Sequence, residues 1–313
     1  MIRNRVVIVT GASAGIGEAT SRTFAARGWT VVLAARSGGK LAHIADEIRA
    51  AGGVALAVPA DVTVAEDRAQ LVDATLRAFG RIDALINNAG MGIAGTVDTV
   101  DLDDLDYVVR LNVLAPVALL QAVAPVMRRC GGGVVVNVSS LIEAVPVPYM
   151  AGYGASKAAL GYLTTAAAAE LARDNIAVVK VMPGLTATGF DRNLLASGAG
   201  MSLEQLLAQA NFVSAIPAER VAEAIWDAVR TRRSRRCLTV RDRLFRRVAA
   251  LAPGLVSALL KAAVKRYVLP SGEPSRASVR RDLRDLGLMI GGGFAALAAL
   301  AGGIWFWVKE HTS

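Results

Sequence analysis

Over the first 240 residues, short runs of β-branched and aliphatic residues alternate with longer stretches of helical periodicity, and this alternation limits the possible folds more than any other feature of the chain. The apolar runs read as strands at Val6 to Thr10, Thr30 to Ala34, Val54 to Pro59, Ala84 to Asn87, Val134 to Ser139, Ile176 to Met182 and Leu238 to Val240. Between them the spacing predicts helices over Gly15 to Arg27, Leu41 to Ala51, Ala65 to Phe79, Leu102 to Arg128, Gly152 to Asp174 and Ala218 to Arg230. Strands that are apolar throughout, and not only on alternate residues, are buried on both faces. Right-handed crossovers then give an α/β fold with a doubly wound parallel sheet, whose ligand crevice lies at the C-terminal ends of the strands. The stretch from Phe190 to Pro217, with Gly198 and Gly200, reads as a mobile lid.

The first strand runs into Thr10-Gly11-Ala12-Ser13-Ala14-Gly15-Ile16-Gly17, after which a helix begins. Glycines at such a turn let the backbone approach a pyrophosphate, and the helix N-terminus offers oriented N–H groups and partial positive charge. The spacing differs from the G-x-G-x-x-G dinucleotide fingerprint. Further polar positions close later strands: Asp61 after the third, Asn87-Asn88-Ala89-Gly90 after the fourth, Ser140 after the fifth and Pro183-Gly184-Leu185-Thr186-Ala187-Thr188 after the sixth. Asn112 lies inside a helix, and Tyr153-Gly154-Ala155-Ser156-Lys157 opens another, 13 residues beyond Ser140.

Taken in order, these elements resemble the short-chain dehydrogenase/reductase superfamily, with its T-G-x-x-x-G-x-G turn, N-N-A-G element, Y-x-x-x-K motif and P-G-x-x-x-T segment. The resemblance covers about the first three quarters of the chain. It implies a Rossmann fold and an oxidoreductase that moves a hydride between a nicotinamide cofactor and a carbonyl or alcohol. By residue, it implies that Gly11, Ser13, Gly15, Ile16 and Gly17 cradle the pyrophosphate, and that Asp61 contacts the adenine. Asn88, Ala89 and Gly90 line the adenine ribose side, and Pro183, Gly184, Thr186 and Thr188 hold the nicotinamide carboxamide. Asn112, Ser140, Tyr153 and Lys157 form the catalytic set, with Tyr153 and Lys157 also touching cofactor and Asn112 anchoring a water that passes protons toward Lys157.

Chemistry argues in the same direction. Tyr153 and Lys157 are four apart on a helix and share a face. An ammonium beside a phenol favours phenolate, so the tyrosine is expected to titrate below its usual value of about 10 and to serve as general acid in reduction and base in oxidation. Ser140 then donates to the substrate oxygen where charge develops. Cofactor choice hangs on the end of the second strand, Ala34-Ala35-Arg36-Ser37. No acid stands there for a ribose 2′-hydroxyl, and Arg36 suits a 2′-phosphate, so NADP(H) is favoured over NAD(H).

Only two histidines occur, His43 and His311, and neither sits with Cys or carboxylates at metal-ligand spacing, so no metal site is expected. Cys130 and Cys237 imply no disulfide framework. Met1 leads through Arg3 and Arg5 straight into a strand-like run, so a cytoplasmic catalytic domain is expected.

The formal charge of +9 is concentrated in one place. Up to Val229 there are 18 basic against 21 acidic residues, whereas Arg230 to Arg284 holds 16 against 3. This segment precedes 23 uncharged residues, Leu286 to Val308, that end in Trp305, Phe306 and Trp307. As a helix such a run is about 34 Å long, enough to cross a hydrocarbon core of about 30 Å. The arginines hold the catalytic domain on the cytoplasmic side, and a small-residue face of Gly291, Ala295, Ala299 and Gly303 suits packing against another helix. A buried hydrophobic tail at a subunit interface is the alternative. The basic stretch carries few aromatics for base stacking, so a membrane surface and not a nucleic acid is the expected partner.

Three parts follow: a catalytic domain over residues 1–240, a basic amphipathic segment over 241–285 and a transmembrane helix over 286–308. Within the middle part, Leu244 to Leu269 either lies among lipid headgroups or closes the substrate pocket. Expected partners are a lipophilic carbonyl or alcohol substrate, the membrane and further copies of the chain. A different class of function also stays open, a cofactor-binding regulatory or scaffold protein at the membrane that uses the fold without turnover. An epimerase or dehydratase fits the glycine spacing less well.

Overall fold

The computed structural model describes residues 5–144, 146–184, 186–187, 194–196, 216–234 and 239–252, with single positions at 254, 257, 258 and 261. The run from Leu286 to Val308, Thr188 and most of the Phe190 to Pro217 stretch lie outside the described residues.

Six parallel strands form the main sheet: β1 (Val6–Thr10), β2 (Thr30–Ala35), β3 (Val54–Pro59), β4 (Ala84–Asn87), β6 (Gly133–Val138) and β7 (Ile176–Val181), in the spatial order β3-β2-β1-β4-β6-β7. The order reverses between β1 and β4, which opens a crevice above their C-terminal ends, where Thr10 and Asn87 stand. Every residue of β1, β4 and β6 is buried, as the unbroken apolar runs require. Alternate side chains feed opposite layers. Val7 and Val9 join Phe24, Leu41 and Ile225 on one face, while Val6 and Ile8 join Leu71, Leu119 and Met127 on the other.

The first layer is built by α1 (Gly15–Ala25), α2 (Gly38–Ala50) and α7 (Ala218–Thr231), where Phe24, Trp29 and Trp226 meet edge to face with centroids 5.2 to 6.2 Å apart. The second is built by α3 (Ala65–Phe79), α4 (Leu102–Val109), α5 (Ala115–Arg129) and α6 (Ala151–Glu170). Two short pairs flank the crevice: β5 (Gly92–Ala94) with β9 (Leu194–Ala196), and β8 (Thr186–Ala187) with β10 (Ile216–Pro217).

Two expectations are corrected. The single helix over Leu102 to Arg128 is broken by a π turn, Arg110–Leu114, in which the Ala115 N–H bonds Arg110 O instead of the carbonyl four residues back. Pro116 has no N–H for the carbonyl of Asn112, so the ladder slips by one residue there, and this turn carries Asn112. The expected strand Leu238 to Val240 is also absent where the structure describes it, because Val240 begins helix α8 (Val240–Leu251). Thr239 caps this helix reciprocally: its hydroxyl accepts from Asp242 N at 3.1 Å, and Asp242 Oδ2 accepts from Thr239 N at 3.2 Å.

Leu102–Arg129 is long and apolar enough to cross a membrane, yet half of its most apolar window is buried, and Leu111, Leu119, Val123 and Met127 pack in the core. It serves as a core helix of this domain.

Candidate active site

The glycine turn after β1 is shaped by contacts that tolerate no side chain. Gly11 has φ +64°, and a Cβ on Gly17 would stand 2.1 Å from the Gly11 carbonyl oxygen. Gly15 (φ +56°) opens α1, Ser13 is half-buried in the loop before it, and Ile16 packs on the core. Asn88 ties this turn to β4: its side-chain amide donates to Thr10 O at 2.9 Å and Gly11 O at 3.3 Å. Thr10 Oγ1 in turn accepts from the backbone N–H groups of Asn88 and Ala89 at 3.0 and 3.1 Å. The Gly11–Gly17 and Asn88–Gly90 segments therefore pack as one wall of the crevice, and a glycine turn leading into the N-terminus of α1 is chemistry that fits a dinucleotide pyrophosphate.

Asp61 closes β3 as expected, but its Oδ1 accepts from Thr63 N at 2.9 Å and Thr63 Oγ1 at 2.7 Å, which shapes its own turn. Arg36, exposed at the end of β2, donates to Tyr107 Oη of α4 at 3.1 Å.

On the other side of the crevice, α6 delivers Tyr153 and Lys157 and the end of β6 delivers Ser140. Tyr153 is hydrogen-bonded to the Ser140 side chain. Lys157 is 4% exposed, donates from Nζ to Val138 O at 2.9 Å and lies 5.8 Å from the centre of the Tyr153 ring. Asn112, fully buried, donates to Met91 O at 2.8 Å and Ser156 Oγ at 3.0 Å and accepts from Met91 N at 3.0 Å. Ser156 donates to Tyr153 O at 2.7 Å, so Asn112 is linked to the tyrosine through it. Gly90 joins the two sides, since a Cβ there would meet Asn112 Oδ1 at 3.1 Å and Lys157 Nζ at 3.4 Å. Pro183 O accepts from Leu141 N at 3.1 Å, and Thr186 Oγ1 donates to Gly184 O at 3.0 Å, which places the segment after β7 beside Ser140.

The expected depression of the tyrosine is not what the site shows. Burial pushes Tyr153 up to about 12, and its hydrogen bond with Ser140 opposes this only in part. Burial likewise lowers Lys157 to about 8, opposed by the charge of Glu143. The physical reason is geometric: the Lys157 ammonium is turned to the Val138 carbonyl, so desolvation outweighs any attraction between ammonium and phenolate.

Residues outside the expected set also converge here. Glu143, Lys180, Ser156 and Tyr107 all contact expected site residues or their neighbours. The signal for Lys180 was present as a lone charge in the apolar strand Ile-Ala-Val-Val-Lys-Val. Asp242 of α8 is 7% exposed, and a Cβ on Gly184 would lie 3.3 Å from its Oδ1. Asp242, in the first turn of α8, thus packs beside Gly184. Among the described residues no group of three or more His, Cys, Asp or Glu could hold a metal ion.

Comparison with known proteins decides the family. Residues 5–198 match the family model described as short chain dehydrogenase. The chain belongs to the short-chain dehydrogenases. Among relatives of this family, 3beta-hydroxysteroid dehydrogenase 1 of Eggerthella lenta is 34% identical over 229 residues, which is 72% of this chain and 87% of that protein. A short-chain dehydrogenase/reductase from Burkholderia phymatum, solved in complex with NAD, superposes with a TM-score of 0.75 at 26% identity, over 82% of this chain and 96% of that one. A metagenomic short-chain oxidoreductase solved in complex with NADP is 35% identical with a TM-score of 0.59, over 71% of this chain and 89% of that one. The α/β Rossmann architecture and its nucleotide-binding crevice are those of this family of oxidoreductases.

Proposed function

We propose that this short-chain dehydrogenase is an NADP(H)-dependent carbonyl reductase or alcohol dehydrogenase, acting on a lipophilic ketone or secondary alcohol. The observation that carries the reading is the hydrogen bond between Ser140 and a partly buried Tyr153, with Lys157 beside the tyrosine ring and Gly90 next to Lys157 Nζ. The Gly11–Gly17 turn and the Asn88–Gly90 segment would hold a nicotinamide dinucleotide, which when bound would supply hydride chemistry for a carbonyl carbon.

The chain's own residues do the rest. Ser140 hydrogen-bonds the carbonyl oxygen, and Tyr153, kept as the neutral phenol by burial, gives its proton to that oxygen as negative charge develops. Lys157, whose Nζ is bonded to Val138 O and lies 5.8 Å from the centre of the Tyr153 ring, is the proton reserve from which the resulting phenolate is restored. The side chain of Asn112 is committed to Met91 and Ser156, so its part in the relay falls to its carbonyl, whose α-helical donor position is occupied by Pro116. In oxidation each step runs backward.

Arg36 supports NADP(H), because a cation at the end of β2 with no neighbouring acid suits a 2′-phosphate. Ala94, Ile142, Val147 and Met150 cluster with Tyr153 and give the reacting side an apolar wall, which supports a lipophilic substrate. The relative named for 3beta-hydroxysteroids is consistent with that class. The uncharged run Leu286 to Val308 behind its arginine-rich segment supports attachment to a membrane by one span, with the catalytic domain on the cytoplasmic face.

NADPH oxidation by membrane-reconstituted protein, tested on ketones and aldehydes of increasing chain length, examines the whole reading. Turnover that rises with chain length is expected, and the absence of turnover on every carbonyl tested would contradict it.

A further inference from the structure

Behind Ser140, Tyr153 and Lys157 lies a second polar cluster that hydride transfer does not require. Glu143 ends the 3-10 turn Leu141–Glu143, which follows Ser140 directly, and Lys180 projects from β7. Their side chains are 10% and 11% exposed, and Lys180 Nζ stands 2.5 Å from Glu143 Oε1. Glu143 Oε2 accepts from Ser139 Oγ at 2.5 Å, and Ser139 Oγ also lies 3.4 Å from the Lys157 carbonyl oxygen. Lys180 Nζ lies 3.5 Å from Gly161 O of α6. A Cβ on Gly161 would come within 2.6 Å of the Glu143 carboxylate, so glycine at this point of α6 is what makes room for it.

Burying two charges carries a desolvation cost that an apolar pair of similar volume would avoid, so stability alone does not account for the arrangement. What it achieves is placement. One carboxylate joins the turn that carries Ser140, the end of β6, the C-terminal end of β7 and, through Ser139, the backbone of Lys157.

We propose that Glu143 and Lys180 are positioning residues of the reaction: the carboxylate clamps the Ser140 turn against β6, β7 and α6, and it presents a fixed negative charge to the Lys157 ammonium. This rests on the roles given above to Tyr153 and Lys157. The titratable groups near Lys157 are Tyr153 from its own helix and Glu143 from the turn; Glu143 is itself faced by Lys180 from β7, while Asp242 of α8 lies against Gly184. Burial lowers Lys157 and Glu143 opposes that shift, so removing the carboxylate lets the ammonium lose its proton at lower pH.

The test measures kcat and KM for ketone reduction against pH in the full-length protein, with NADPH affinity followed separately by fluorescence. Wild type is compared with Glu143→Gln, Glu143→Gln/Lys180→Met and, as a control on the underlying reading, Tyr153→Phe. Both Glu143 variants are expected to bind NADPH within about twofold of wild type, to lose about tenfold in kcat and to show an alkaline limb displaced by about one pH unit toward acid. The double variant replaces a buried ion pair by a neutral one and so keeps the test alive if the single variant fails to fold. Folded variants with kcat near wild type and an unmoved limb would overturn the proposal, as would failure of both to fold, which would make the pair a structural element. Undiminished turnover by Tyr153→Phe would instead overturn the reading of the catalytic set, whatever the Glu143 variants do.

Discussion

The Lys157 ammonium donates to the Val138 carbonyl oxygen at 2.9 Å, holding the charge of α6 against the end of β6. Burial there lowers Lys157 from 10.5 to about 8, so between those values the folded protein binds fewer protons than the unfolded chain and its stability rises with pH. Burial raises Tyr153 from 10.0 to about 12, so the folded form keeps a proton that the unfolded chain loses above pH 10, and stability falls again. Lys157→Met removes the first limb. Urea midpoints of both proteins near pH 7.5 and near pH 9.5 should show wild type gaining on the variant by at most about 1.4 kcal/mol per pH unit. A stability difference that stays constant over that range contradicts the burial of a strained ammonium.

At the far end of the crevice, Arg36 is held by Tyr107 at the end of β2. Arg36→Asp is expected to reverse cofactor preference toward NAD(H), with a loss of about 1.5 to 3 kcal/mol in NADP(H) affinity as a charge-assisted bond to phosphate disappears. Titration of both reduced cofactors by fluorescence checks this. Wild-type protein that binds NADH as tightly as NADPH would remove Arg36 as the selector.

Much of this fold was legible because its signals are local. Strands buried on both faces have no polar face, so β1 and β4 fall where the apolar runs place them; β3 falls at its apolar run too, although it is the edge strand and its residues are only partly covered or exposed. The glycine turn, Asn88, Ser140, Tyr153 and Lys157 stand at the strand and helix ends that the spacing implies. Features fixed by contacts between distant elements were harder to see. The π turn at Asn112 arises from Pro116, a residue that also reads as an ordinary helix interruption. Thr239 and Asp242 have capping-box spacing, yet the apolar Leu238 and Val240 beside them resemble a strand end. The upward shift of Tyr153 depends on where Lys157 points, and four-residue spacing gives a shared face without giving that direction. Glu143 and Lys180 meet across 37 residues of sequence, and neither carries a motif.

The proposed attachment to a membrane makes its own prediction. Truncation before Leu286 should release the protein only in part, because the arginine-rich segment keeps a salt-sensitive affinity for anionic lipid. The truncated protein should also lose far more activity on a long-chain or polycyclic ketone than on a small soluble one, since the site is untouched and only substrate delivery changes. Fractionation in low and high salt, followed by assays on both ketones, gives the answer. Full-length protein found wholly in the soluble fraction would contradict the anchor, and equal loss on both ketones would contradict delivery from the bilayer.

The most direct test of the catalytic account follows the hydride itself. NADPH deuterated at C4 of the nicotinamide is incubated with a ketone substrate and either wild-type protein or Tyr153→Phe, and the alcohol is analysed by mass spectrometry. Deuterium should appear on the carbinol carbon with wild type, and Tyr153→Phe should bind NADPH normally while forming product at least about a hundredfold more slowly, the scale of a lost general acid. Alcohol formed at near wild-type rate by Tyr153→Phe, or without deuterium on that carbon, would contradict the account.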